Sequence, residues 1–485
     1  MPANAAGVSE PKDICLSLRF REPIARRFYK LWLAGKTFAG TEEHLALARA
    51  FEGWQLEVSS SGPTSLCVRC SSGQLQKAFD VAVERVPLAA GALSSMGGEY
   101  VVSRGGAIPV PQDIARFVES ISIQRPYIYA APGVAVLPPP KRPAGHGARL
   151  DVLKGVPRKL RATKVHARTK GRGAGVKVCV IDSGFVTDHV FFGQRPFSMQ
   201  VALAGLASDG KLDDFGHGTG VAANLLSVAP EVDFIGIKLH NESLASLNAT
   251  LLEGFQTALT FSPDVISISL VSQELYDPNG PVQPVPLTSA DKDLADAIKA
   301  VADKIVIVVG AGNGQFGFPS QMSEVIAAGG VYASTKNRRE KLIASDMASA
   351  FISGVYPRRA VPDVCGLVGL LPNGEYLTLP VGFGSFYDKL SQGYDGSAGD
   401  DGWAVFSGTS SAAPQLAGVC ALMLGVNPGL TPAKVKKILC ATARDVTEGT
   451  TNPKSGGIKA VPGRDVATGA GLVDAFAAWT AAKRA

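Results

Sequence analysis

Beyond Gly175 the chain repeats one pattern: runs that are apolar at nearly every position, at 176–181, 234–239, 265–270, 305–309 and 325–328, separated by stretches of helical periodicity. A strand with one wet face alternates polar and apolar residues, whereas a strand apolar throughout is covered on both faces. The structure that covers both faces is a parallel sheet between two layers of helices. The expected fold class is therefore α/β, a doubly wound, mainly parallel sheet, and in such sheets functional groups gather beyond the carboxyl ends of the strands.

The first 130 residues read differently. A strand at 12–20, a helix capped by Thr41 and running to about Trp54, strands at 55–59 and 65–70, a helix at 73–83 and a strand at 99–102 make a β-α-β-β-α-β order. That order predicts a small α+β, ferredoxin-like domain. Residues 131–170 are rich in Pro, Gly and basic side chains and read as an exposed linker. The chain thus divides into 1–130, a linker at 131–170 and an α/β domain at 171–485.

Composition excludes several classes. A net charge of +6 over 485 residues, with the basic residues crowded at 141–172, is a poor match to a nucleic-acid-binding surface. No apolar run approaches the ~18 residues of a membrane span. The seven cysteines are odd in number and irregularly spaced, as expected of free thiols, and the N-terminus lacks the pattern of a secretory signal. The expected location is the cytoplasm as synthesised, with export by a non-Sec route remaining open.

Four polar residues stand at positions where chemistry can be done. Asp182 directly follows the apolar run 176–181, so its carboxylate emerges at a strand end; capping a turn is the alternative. His217 sits between Gly216 and Gly218, which permit another group to approach closely; a core histidine is the alternative. Ser410 lies in Gly408-Thr409-Ser410-Ser411-Ala412-Ala413-Pro414, a glycine turn opening a helix of small residues, with Pro414 expected in its first turn. Asn313, inside Gly310-Ala311-Gly312-Asn313-Gly314 after an apolar strand, is either an ordinary Asn-Gly turn or a donor to an oxyanion. A serine becomes nucleophilic when an imidazole takes its proton, and the imidazole needs a carboxylate to fix its tautomer.

These strings, in the order Asp, His, Asn, Ser, resemble the subtilisin-like serine proteases over roughly Gly171 to Ala482. The resemblance implies a serine endopeptidase with Asp182, His217 and Ser410 as its triad and Asn313 as oxyanion donor. It implies that Ser269, Leu270 and Val271 line one wall of the substrate cleft and Gly310, Ala311 and Gly312 the other, with the polypeptide substrate bound as an added strand. Gly220, Ser411 and Gln415-Leu416 depart from the family's usual residues without removing a catalytic group. Val271 stands where a glycine commonly follows Ser-Leu, which narrows the cleft.

The first domain resembles the propeptides of subtilisin-like and sedolisin-like proteases, in 53–58 and 74–81. That resemblance implies a folding helper and intramolecular inhibitor, and hence a zymogen. A sedolisin mechanism would use Glu and Asp in place of His217 and Asn313. A separate inhibitor protein is a further possible partner, and a pseudoprotease that binds peptides without cutting them is the alternative function. No cofactor and no metal is expected: Cys67-x-x-Cys70 on a strand points its thiols to opposite faces, and the loop of Asp395, Asp400 and Asp401 reads as solvated.

Overall fold

Alternation along the first strands decides how the N-terminal domain packs. In β1 (Ile14–Phe20), Ile14, Leu16, Leu18 and Phe20 point into that domain's own core. In β3 (Ser65–Cys70), Leu66, Val68 and Cys70 do the same, while Ser17, Cys67 and Arg69 are buried on the opposite face. The thiols of Cys67 and Cys70 do fall on opposite sides. The structure, a computed structural model, describes residues 11–87, 99–125, 127–129, 149–168, 172–240, 249–272, 286–336, 339–370, 376–391 and 401–485.

The N-terminal domain runs β1, α1 (Glu22–Leu33), α2 (Glu42–Trp54), β2 (Glu57–Ser61), β3, α3 (Ser72–Phe79), β4 (Val83–Pro87), β5 (Glu99–Ser103) and β6 (Val118–Ile123). Thr41 caps α2 as expected, and Ser71 closes a capping box with Gln74 on α3. The antiparallel sheet has the order β2-β3-β1-β6. Its fourth strand is therefore β6, and the strand expected at 99–102 instead pairs with β4 in a separate ribbon. Helix α1 was not foreseen. Its Phe28 is buried, stacked on Phe38 and edge-on to Phe20.

After β7 (Tyr127–Tyr129), the structure resumes with β8 (Arg149–Asp151), α4 (Gly155–Lys159) and α5 (Ala162–His166). Half of the tract expected to be linker, 131–148 and 169–170, lies outside the described residues. The part that is described is packed: Leu150, Val156, Leu160 and Val165 are buried in the main core. The basic side chains between them, Arg158, Arg161 and Lys164, mask that apolar spacing in the composition.

The larger domain continues with β9 (Lys177–Asp182), β10 (Ser198–Leu203), α6 (His217–Val228), β11 (Asp233–Lys238), α7 (Leu251–Leu259), β12 (Val265–Ile268), β13 (Leu270–Ser272), α8 (Ser289–Val301), β14 (Val306–Gly310), β15 (Ile326–Lys336) and β16 (Arg339–Ala344). Short β17 (Phe351–Ile352) and β18 (Ala360–Val361) follow, then β19 (Val364–Leu367), β20 (Tyr376–Pro380), α9 (Phe386–Ser391), β21 (Trp403–Phe406), α10 (Thr409–Val426), α11 (Pro432–Thr442) and α12 (Ala475–Arg484). The eight-stranded sheet is ordered β10-β11-β9-β12-β14-β15-β16, with β19 also on β15. All its ladders are parallel except β15–β16, as the two-faced apolar runs require.

Helix α10 is long and apolar enough to cross a bilayer by length and composition alone, yet it is almost wholly buried in protein. It is the core helix, packed against α6, α12 and the sheet. Helices α7 and α8 carry the N-terminal domain: Trp32 donates to the Leu259 carbonyl at 3.2 Å, and Ser60 to Gln256 at 2.6 Å.

Candidate active site

Parallel register brings the candidate residues to one level. Ile181 on β9 is paired with Ile268 on β12, and Ile268 with Val309 on β14. The next residues, Asp182, Ser269 and Gly310, therefore leave three adjacent strands together at the sheet's carboxyl edge. Each carries one part of the site.

Asp182 is fully buried, and its Oδ1 accepts from His217 Nδ1 at 2.7 Å and from the Ser183 N–H at 2.7 Å. A carboxylate can only accept, so this contact fixes the Nδ1–H tautomer and directs the Nε2 lone pair outward. His217 is the first residue of α6. The glycines beside it are demanded by space: a Cβ on Gly216 (φ +87) would lie 2.5 Å from Ser385 Oγ, and one on Gly218 would lie 2.2 Å from the Gly184 carbonyl and 3.0 Å from Asp182 Cβ.

Asp213 was not singled out from the sequence, yet it ties this pair together. Its carboxylate accepts from Ser183 Oγ (2.7 Å), Gly216 N (3.0 Å), Thr219 N (2.8 Å) and Thr219 Oγ1 (2.6 Å). Ser183 Oγ in turn accepts from Gly218 N at 2.8 Å. The residue after Asp182 and the residues flanking His217 are thus held by one carboxylate. Burial pushes the Asp213 carboxyl up, and the hydrogen bonds from Thr219 and Ser183 pull it back. Its place four residues before the histidine was the available signal, hidden because Asp213-Asp214 reads as an acidic loop. The Tyr387 ring, also unforeseen, lies 5.8 Å from the His217 ring, and burial pushes its phenol up, with the charge of Asp182 adding to the effect.

Ser410 is the second residue of α10, where helix N–H groups and the dipole favour a developing negative charge. Its Oγ donates to the Ser269 carbonyl at 3.3 Å. Pro414 lies inside the helix, not in its first turn as expected. The position has a consequence for the site: Pro414 has no N–H to give the Ser410 carbonyl four residues back, and that carbonyl accepts instead from Ser269 Oγ at 3.0 Å. The helix start and the strand end are thereby locked together.

Asn313 faces the same turn. Its Oδ1 accepts from Thr409 N (2.9 Å) and Thr409 Oγ1 (3.1 Å), which assigns Nδ2 as the donating end. Gly408 (φ +133) has no room for a side chain, since a Cβ would stand 2.7 Å from Asn313 Nδ2. Gly312 N donates to Thr409 Oγ1 at 3.1 Å, so the loop 310–313 is clasped to the start of α10. Asp182 is thus bonded to His217, and Asn313 to the turn that opens onto Ser410, both at the carboxyl edge of the sheet. Of the acidic loop, Asp395 and Asp400 lie outside the described residues.

Residues 173–457, more than half of the chain, match the Subtilase family. The chain belongs to the subtilase family. Over 303 residues this subtilase is 29% identical to Subtilisin DY of Bacillus licheniformis, a match covering 59% of this chain and 90% of that one. It is 28% identical over 296 residues to Serine protease AprX of Bacillus subtilis, covering 55% of this chain and 61% of that one. Fervidolysin from Fervidobacterium pennivorans, a keratinolytic enzyme related to subtilisin, superposes with a TM-score of 0.53 at 15% identity, covering 96% of this chain and 61% of fervidolysin. That likeness shows the fold. The family and its curated members make this subtilase a serine endopeptidase.

Proposed function

We propose that this subtilase cuts peptide bonds through an acyl-enzyme on Ser410 and is made as a zymogen held shut by its own N-terminal domain. His217 Nε2 takes the proton of Ser410 Oγ as that oxygen attacks the scissile carbonyl, and Asp182 stabilises the resulting imidazolium. The carbonyl oxygen, now negative, is met by Asn313 Nδ2 and the N–H groups at the start of α10. The proton on Nε2 then passes to the leaving amine. Water repeats the sequence and frees the acyl group.

The observation that carries the zymogen reading is a strand pairing. β7, the strand that follows the N-terminal sheet, lies antiparallel on β13, with Tyr129 opposite Leu270, Ile128 opposite Val271 and Tyr127 opposite Ser272. An extended substrate would add to the same edge in the same way. Continued by one residue, that register reaches Ser269, whose carbonyl is 3.3 Å from Ser410 Oγ. Ser269, Leu270 and Val271 would then form one wall of the cleft, and Gly310, Ala311 and Gly312 the other.

Reaction with a fluorophosphonate, which marks an activated serine, tests both parts. Labelling should be weak in the full chain, should rise after limited proteolysis between residues 130 and 148, and should vanish in Ser410→Ala. Equal labelling before and after the cut would remove the inhibitory role, and its persistence in Ser410→Ala would remove the nucleophile.

A further inference from the structure

We propose that Val271, packed across the cleft onto Gly317, restricts the residue on the acyl side of the scissile bond to a small side chain. The inference rests on the peptidase reading above and deepens it. In an antiparallel pair, directly opposed residues share a face, and residues two apart along one strand share it too. A substrate residue opposite Ser269, the position whose carbonyl Ser410 attacks, therefore projects its side chain on the same face as Val271 and diagonally next to it. That diagonal distance is within reach of any long side chain. What lies on the Val271 face sets the size of the pocket.

That space is filled. A Cβ placed on Gly317 would stand 2.6 Å from Val271 Cγ1 and 3.3 Å from the Ala311 carbonyl oxygen. The valine methyl thus occupies the volume that a side chain at 317 would take. Ala311 belongs to the opposite wall of the cleft, so Gly317 lies between the Val271 side chain and that wall, and the valine methyl takes up the space beside it. Val271 is itself 3% exposed and packed in place. An aromatic ring entering beside it would have to displace a buried valine or the 310–313 loop clasped to α10. A methyl or hydrogen needs no such movement.

The chain's own sequence agrees. The segment that pairs with β13 ends at Tyr129, and the residue that follows it is Ala130. If the strand serves as the first substrate, alanine is the residue presented at the selective position.

The test compares two chromogenic peptides, Tyr-Ile-Tyr-Ala and Tyr-Ile-Tyr-Phe p-nitroanilide, on full-chain protein after linker cleavage, with fluorophosphonate titration to count active sites. The alanine peptide should be favoured in kcat/KM by at least ~10-fold, since a misfit of even one methylene in such a pocket is worth roughly 10–200-fold. Val271→Gly should reverse or abolish the preference, and Val271→Ala should fall between. Equal or better cleavage of the phenylalanine peptide by the native enzyme, or an unchanged ratio in both variants that still titrate, would overturn the inference while leaving the peptidase intact. A native enzyme that neither titrates nor cleaves would overturn the peptidase reading, and the inference with it.

Discussion

Where α6 meets α10, the contact is dry and uncharged: Leu225, Leu226, Leu416 and Val419 are fully buried, and the polar contact that crosses it is a neutral amide pair, Gln415 Nε2 to Asn224 Oδ1 at 2.9 Å. Where α7 and α8 meet the N-terminal domain, the seam carries buried charge. Arg69 makes a two-point contact with Glu253, Nε to Oε1 at 2.9 Å and Nη2 to Oε2 at 2.5 Å, with both side chains essentially unexposed. Ser122 donates to the buried Asp293, and Arg19 to Asp296. Apolar surface that has left water resists returning to it, at about 25 cal/mol per Å². A buried ion pair roughly breaks even, because each charge regains its hydration when the partners separate. The first contact is built to persist, whereas the second adds to the apolar contacts of Cys15, Cys67, Tyr29 and Trp32 a set of polar groups that regain water when the two sides part. A seam of this kind suits a domain that must be held and later released.

Cutting one side of the ion pair should give the largest effect on the seam. Arg69→Ala leaves Glu253 buried without its cation, a loss of about 3–5 kcal/mol. The expected result is a chain that labels with fluorophosphonate without linker cleavage, while its larger domain melts as before. Labelling that stays dependent on cleavage would mean that the seam does not hold the strand in the cleft.

The matching change in the dry contact should act differently. Leu416→Ala opens a cavity at a fully buried position and should cost about 2–5 kcal/mol of the whole domain's stability. Calorimetry should show the melting of the larger domain lowered, with labelling still dependent on linker cleavage. A selective release of the N-terminal domain by this variant would erase the distinction between the two contacts.

The seam should also respond to pH, with a sign set by its two carboxyls. Burial pushes Asp293 up to about 6, against the hydrogen bonds from Ser122 and Ser17 and the charge of Arg19, with Asp296 adding to the rise. The docked form therefore holds that proton more tightly than the parted form, and the contribution fades as pH rises through about 6. Burial alone would raise Glu253 as well, but the charge and hydrogen bonds of Arg69 hold it below the usual range. Its contribution is present above the ordinary value of 4.5 and is lost as pH falls through the lowered one. After linker cleavage, co-elution of the two pieces should fall as pH rises through about 6, and Asp293→Asn should flatten that fall. A fall of the same size in the variant would put the pH response elsewhere.

The smallest effect concerns the thiols. None of the seven cysteines is in a disulfide, and burial raises the thiols of Cys67, Cys179, Cys365 and Cys420. Cys440 alone is partly exposed. Iodoacetamide on the native chain should modify at most Cys440 and leave fluorophosphonate labelling unchanged; modification of Cys67 would mean that the seam opens spontaneously.

The contrast between the two contacts also explains what could be read from the sequence. The parallel strands were legible because runs apolar on both faces have few other uses, and the catalytic strings because their glycines answer local steric demands, at 216, 218 and 408. The seam was not. Cys67 and Arg69 alternate with Leu66 and Val68, and alternation says which residues share a face without saying whether water or another domain covers it. Asp213 was missed because Asp213-Asp214 reads as an acidic loop, and two of its four donors are backbone N–H groups, which carry no residue signature. Helix α1 escaped notice because its basic side chains outnumber the buried Phe28, and β6 was not foreseen: the last place in the sheet was given to 99–102, which tertiary packing sends to β4 instead.

The most direct test follows the fate of β7 by mass spectrometry in full-length protein and in Ser410→Ala, over time and over a range of concentrations. Cleavage in place by Ser410 predicts a first new N-terminus at Ala131, a rate independent of concentration, and an intact chain in Ser410→Ala. Shortening of Ser410→Ala at the native rate, or a rate proportional to concentration, would contradict the account of a strand cut where it lies.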